Sequence, residues 1–260
     1  MSTMAWLPMA GAVAATLTLA AAVWVLSVIK RDVSIVDSAW SLLIVLSGAV
    51  FLVLSPEVGV RAGVVMVLAG LWGARLAIHI TVRGWGEAED RRYQEIRARN
   101  QPHFQCKSLY LVFALQAVLA WIVSFALIAA IAGERPWHWL DAVGVFAVVA
   151  GAAFEAIADW QLYRFQSAPD SGERVLDSGL WRYSRHPNYF GEFCVWWGFF
   201  LLALAAGGAW WALASPLLMS VLLLRVSGVT LLEKDISSRR PGYRRYAERT
   251  NAFFPWRPQS

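Results

Sequence analysis

Trp72, Arg75, His79 and Arg83 follow one another at intervals of three, four and four, so on a helix they share one face. Glu155 and Asp159 stand four apart, and Tyr163 and Gln166 continue that face. Asp37 comes one turn before Trp40 and Ser41. Arg225, Glu233 and Asp235 follow near the end of the chain. Each group lies within or beside a long apolar run, where a charge is costly and usually meets a partner or a water-filled cavity. The stretch "SRHPNYFGE" adds a helix start. Pro187 suits a first helical position, and the residue before it, His186, is pushed out of helical geometry. Backbone N–H groups at such a start favour phosphate or carboxylate. Asn188 and Glu192, one turn apart, add an amide and an acid able to hold a hydroxyl or an amide, with Trp196 below them. The same residues also suit internal ion pairs, and the helix start also suits a capped, anchored end at the membrane surface.

The elements that carry these groups are membrane spans. Of 260 residues, 58% are apolar and 16% charged, and mean hydropathy is +0.49. A water-soluble domain carries nearer a quarter of charged residues. The 15 Trp suit membrane–water interfaces. Seven apolar runs approach the roughly 20 residues that cross a bilayer: 6–29, 35–54, 62–82, 108–132, 141–165, 188–206 and 209–231. The first lacks the basic flank of a signal peptide and reads as a retained span. Gly207 and Gly208 permit a tight hairpin between the last two. Alternate loops and the tail hold nearly all the Lys and Arg, with Arg61 and Arg135 on the other side. That asymmetry puts the N-terminus outside and the C-terminus in the cytosol. It also accounts for the net charge of +5 without a nucleic-acid partner. The expected fold is an all-α, polytopic helical bundle forming a single membrane domain over 1–260. Cys106 and Cys194 form neither a disulfide framework nor a C-x-x-C metal motif, and no metal is expected. The aromatic and basic tail after 231 is too polar to span and suits an interfacial helix over the cytosolic mouth.

"LDSGLWRYSRHPNYFGE" (176–192), "ADWQ" (158–161) and "LLEKD…PGYRRY…FFPW" (231–256) together resemble the steroid 5-alpha-reductase-like membrane family. "SIVDSAW" (34–40) and "GWGEAEDRRYQ" (84–94) are similar to its bacterial branch. The resemblance implies a seven-span bundle that binds NADPH in a cytosol-facing cavity and reduces a carbon–carbon double bond conjugated to a carbonyl. It implies substrate-side helices over 1–132 and a cofactor-binding part over 133–260. Asp159, Asn188 and Glu192 match cofactor-contacting positions, and Arg174 a phosphate-facing one. Tyr183, Arg185, His186 and Tyr189 belong to the same stretch, and Glu233, Asp235 and Tyr246 to the matching tail. The family's Gln-Glu pair is absent. Asp37 stands near the place of that acid, Trp72 near the place of the family's Tyr, and Tyr93 is a further phenol.

The expected activity is therefore reduction of a lipophilic enone. A protonated Asp37, or His79 supported by Arg75, or Tyr93, would stabilise the enolate. Trp40, Trp72 and Glu155 would line the substrate site. The expected setting is a bacterial inner membrane, in contact with lipid, with the site open to the cytosol. Two alternatives remain. One is an S-adenosylmethionine-dependent methyltransferase resembling the isoprenylcysteine carboxyl methyltransferases, which share the "R-H-P-x-Y-x-G" stretch. The other is a non-enzymatic membrane scaffold or lipid-binding subunit.

Overall fold

A computed structural model describes residues 6–56, 58–168, 174–207, 210–226 and 242–258. The described residues contain helices and turns but no strand. Six helices are long and apolar enough to cross a membrane: α1 (Trp6–Lys30), α2 (Ile35–Leu54), α3 (Val60–Arg83), α5 (Phe104–Ala132), α6 (Trp139–Gln166) and α7 (Pro187–Ala205). The short α4 (Arg91–Arg99) precedes α5, and α9 (Tyr243–Arg249) lies in the tail. The protein is thus an integral membrane helical bundle.

The described part of the seventh apolar segment is α8, Trp210–Arg225. Within the described residues it opens with a 3-10 turn, Trp210–Leu213, continues as α-helix over Ala214–Val221 and passes into a π turn, Leu222–Val226. Gly208, Ala209 and residues 227–231 of that expectation lie outside the described residues. The expected loop over 83–107 is also partly helical. Asp90 caps α4 by accepting from the Arg92 N–H at 2.9 Å, which ties down one of the donors a helix start leaves open.

The chain forms two compact units, Met1–Trp137 with Ala203–Ala214, and His138–Leu202 with Ser215–Ser260. In the first, Leu43 and Ile44 of α2, Val65 and Trp72 of α3, and Phe113, Leu127 and Ile128 of α5 form the core. Two polar links cross it. Ser41 Oγ donates to the Gly73 carbonyl at 2.8 Å, and Ser47 and Ser124 share a hydrogen bond of 2.7 Å. Ser124 interrupts α5, its hydroxyl donating back to the Trp121 carbonyl at 2.6 Å.

In the second unit α6 and α7 run against each other along two pairs of glycines. An added Cβ at Gly151 would stand 2.7 Å from the Gly191 carbonyl oxygen, and one at Gly191 equally close to the Gly151 oxygen. Gly144 and Gly198 oppose each other in the same way, at 3.1 and 3.0 Å. Both helices space the pair by seven residues, nearly two turns, so each pair lies on one face. Small residues at such a seam let backbones approach where lipid offers no hydrophobic drive for association.

Gly151→Val is therefore expected to destabilise the solubilised protein by about 1–3 kcal/mol, the range for overpacking, and to lower its melting temperature. Gly63→Ala, where an added Cβ meets nothing within 4 Å, is expected to leave melting unchanged or slightly raised.

Candidate functional site

The glycine seam decides what faces the start of α7. One turn beyond Gly151 on α6 comes Glu155, and one turn further Asp159. Both are buried, at 2% and 4% exposure, and Glu192 of α7 is buried too. Asn188, in the first turn of α7, donates through Nδ2 to Asp159 Oδ1 at 3.1 Å. Its Oδ1 is buried, and no donor among the described residues reaches it. Before Pro187, His186 is buried and its ring stacks on Tyr189, with centroids 5.5 Å apart and planes 4° from parallel.

The "ADWQ" segment works as a unit. The Trp181 indole donates to the Ala158 carbonyl at 3.1 Å, and Gln161 Oε1 accepts from the Leu180 N–H at 2.9 Å. Gly179 sits at φ +60 with the Gln161 amide against it, leaving no room for a side chain. The tail then straps the turn from the other side. The Arg185 N–H donates to the Asn251 carbonyl and the Trp256 N–H to the Tyr183 carbonyl, both at 2.9 Å. Ser184 Oγ donates to the Phe253 carbonyl at 2.8 Å and accepts from the His186 N–H at 3.1 Å. Arg185 Nη1 reaches the Ala247 carbonyl at 2.8 Å. The Tyr246 hydroxyl meets the carbonyls of Trp181 and Ser184, so in this geometry it fixes the turn.

Other expected residues are placed differently. Tyr183 is exposed, and so is Arg174, its guanidinium 5.9 Å over the Phe165 ring. Tyr163 and Gln166, expected to extend the acidic face, are exposed as well. Arg225 is exposed on α8. Glu233 and Asp235 lie outside the described residues.

A second cluster belongs to the first unit. Asp37, in the first turn of α2, accepts from the Tyr93 hydroxyl at 2.6 Å on Oδ1 and from Arg92 Nη2 at 2.8 Å on Oδ2. Asp90 holds the Arg92 Nε at 2.9 Å and donates its own backbone N–H to Ser34 Oγ at 2.7 Å. Glu89 accepts from the Val33 N–H at 2.9 Å and pairs with Arg97 at 2.7 and 2.9 Å. Arg97 also lies 4.8 Å over the Phe104 ring. Two of the expected catalytic residues, Asp37 and Tyr93, thus meet directly. Trp72 is fully buried in α3, Arg75 and His79 are half-buried one and two turns on, and Trp40 is half-buried in α2.

Sequence reasoning missed Arg92, Asp90, Glu89, Arg97 and Ser34. A signal existed: Asp90 followed by two arginines is an N-cap with its own cations, and it falls inside a motif already singled out. Burial, and then the Asp37 carboxylate, push the Tyr93 phenol well above its usual range, so it carries its proton at neutral pH. Burial works against ionisation of Glu89, but Arg97 and the Val33 N–H outweigh it and hold the carboxyl below its ordinary value.

This depressed acid makes the clamp acid-labile. Its contribution is complete above the unfolded value of about 4.5 and is lost as pH falls through the lower folded one. Hydrogen-exchange protection of 91–97 is expected to fall on acidification below that value, and to fall less in Glu89→Gln.

Residues 23–250 match the family described as Protein of unknown function (DUF1295). The chain is 25% identical over 271 residues to Uncharacterized protein C594.04c of Schizosaccharomyces pombe, covering 89% of this chain and 75% of that one. No solved structure matches it. The matched span takes in Asp37 and Tyr93 as well as Asp159, Asn188 and Tyr246. This chain belongs to the DUF1295 family.

Proposed function

We propose that the protein is an NADPH-dependent membrane oxidoreductase that reduces a carbon–carbon double bond conjugated to a carbonyl in a lipophilic substrate, a steroid, a sterol or another lipid enone. The observation that carries the reading is the Asp159–Asn188 pair, with a buried amide oxygen that still needs a donor. A nicotinamide carboxamide supplies such a donor, and ribose hydroxyls suit the neighbouring acids. Leaving a buried acceptor unmet costs roughly 1–3 kcal/mol, so a donor-bearing ligand relieves a real deficit. For the phosphates, Arg174, Arg185 and the first turn of α7 offer positive charge. The residues therefore fit the group.

When bound, the dinucleotide supplies a hydride to the β-carbon of the substrate. The protein's own task is to hold the developing enolate and give it a proton. Asp37 accepts hydrogen bonds on both oxygens, one of them from Arg92, an arrangement that suits a carboxylate. Tyr93, not Asp37, then bears the proton, which it directs at Asp37 in this geometry and would turn towards the enolate to serve as the acid. His79 and Arg75 are a less direct choice, because neither shares in this contact. The basic loops support a site open to the cytosol of a bacterial inner membrane.

A methyl-donor reading draws on one observation of its own. Buried Glu155, Asp159 and Glu192 make an acid-rich wall, and S-adenosylmethionine is a cation.

Titration of the purified protein separates the two. NADPH is expected to bind, S-adenosylmethionine not to, and Asn188→Leu to weaken NADPH about tenfold, the worth of one buried hydrogen bond. Tyr93→Phe is expected to keep binding and to lose about a hundredfold in enone turnover. Binding of S-adenosylmethionine in place of NADPH would sink the proposal.

A further inference from the structure

The first unit holds a cavity of about 490 Å³ that the reductase reading does not use. It lies between the 58–61 turn and the 131–137 loop. Asp37 lies in the first turn of the 20-residue α2 and this turn follows its far end, so about 25 Å of helix separates them. The cavity therefore opens where the spans leave the membrane at the end away from Asp37.

Its walls are tied together. Arg61 is buried, at 5% exposure, and donates to the Arg135 carbonyl at 2.9 Å and the Pro136 carbonyl at 3.2 Å. Its guanidinium also stands 5.8 Å over the Trp137 ring. Glu134 and Arg135 line the mouth, both exposed, and neither side chain has an ion-pair partner among the described residues. The remaining wall includes Val58 and Val60, the latter 82% exposed. Below Val60, the exposed residues Val67, Leu71 and Ile78 continue along α3 at intervals of seven, four and seven, which is one apolar stripe.

We propose that this cavity binds the headgroup of a zwitterionic phospholipid, phosphoethanolamine being the fitting case. The phosphate would lie on Arg135 within the positive field of Arg61. The primary ammonium would lie on Glu134. The volume suits a headgroup and is too small for a whole lipid, so the acyl chains would run down the α3 stripe. Trp137 stands at the interface, where its amphipathic ring is favoured. Among the described residues the lining has two cations and one acid, Glu134, which matches a phosphate with a tethered ammonium better than it matches a plain anion. The inference stands apart from the reductase reading, since it needs neither cofactor nor substrate.

Native mass spectrometry of the delipidated full-length chain tests it, with phosphatidylethanolamine and phosphatidylglycerol of identical acyl chains added back. One phosphatidylethanolamine is expected to be retained in preference to phosphatidylglycerol. Arg135→Ala is expected to weaken it about tenfold, as for loss of a charged hydrogen bond. Glu134→Ala is expected to abolish the preference while binding persists. Both side chains are exposed, so melting temperatures matching the parent will show that the fold is intact. Equal retention of the two lipids by the parent, full retention by Arg135→Ala, or displacement of the lipid by inorganic phosphate would overturn the proposal.

Discussion

The closeness of α6 to α7 is the constraint on which the second unit depends. Four glycines let the two backbones meet at carbonyl-to-Cα distance, at Gly144 against Gly198 and Gly151 against Gly191. A side chain at Gly151 or Gly191 would force the helices apart, because backbone atoms and Cβ atoms rather than the ends of flexible side chains stand in the way. The register set by those pairs then carries Glu155 and Asp159 to the first two turns of α7. Asn188 reaches Asp159 only because the seam holds that register. The "ADWQ" contacts and the tail strap come after it in the causal order: they close a turn whose position the glycines have already decided.

The first unit solves a similar problem with different physics. Its polar cluster is held by charge-assisted hydrogen bonds from a short helix that lies outside the spans. Asp90 caps α4 and binds Arg92, and Arg92 in turn reaches Asp37. Glu89 and Arg97 clamp the same segment to the turn between α1 and α2. These groups are partly wet. The Arg92 side chain is 36% exposed, so each pair is weak alone and the network matters more than any member. A clamp of this kind yields to pH, and a glycine seam does not. The two clusters should therefore differ in how they respond to acid and to packing changes.

Much of the fold could be read from hydropathy alone. The first six spans fall close to their expected positions, since long apolar runs admit few other outcomes in lipid. The seventh was harder. "WWALASPLLMSVLLLRV" is apolar enough, yet its two ends depart from α-helix, and hydropathy does not report hydrogen-bond spacing. At the candidate site, spacing paired Glu155 with Asp159 and Asn188 with Glu192, because each pair shares one face of its own helix. It could not show that Asp37 and Tyr93 touch, because 55 residues separate them and helical periodicity carries no information across a loop. Nor did it show that Tyr246 spends its hydroxyl on two backbone carbonyls, which only the folded tail makes visible. Glycines were noticed where a turn needed them and overlooked where a packing seam did.

In each unit one polar contact is made from the first turn of a span. Asp37 is in the first turn of α2 and Asn188 in the first turn of α7. That placement follows from cost. A charge at mid-membrane is expensive, and the penalty falls as water and headgroups come within reach. It also suits the proposed chemistry. A dinucleotide is polar and comes from water, whereas a lipid enone is apolar and comes from the bilayer. The two can meet only near a boundary where one end of a site is wet and the other greasy. A protonated phenol such as Tyr93 is well matched to that boundary, because it gives a hydrogen bond without placing a net charge there. In this geometry Asp37 meets Arg92 on one oxygen and holds the phenol in place by accepting its hydrogen bond on the other, so the acid is paired on both sides by groups outside the spans.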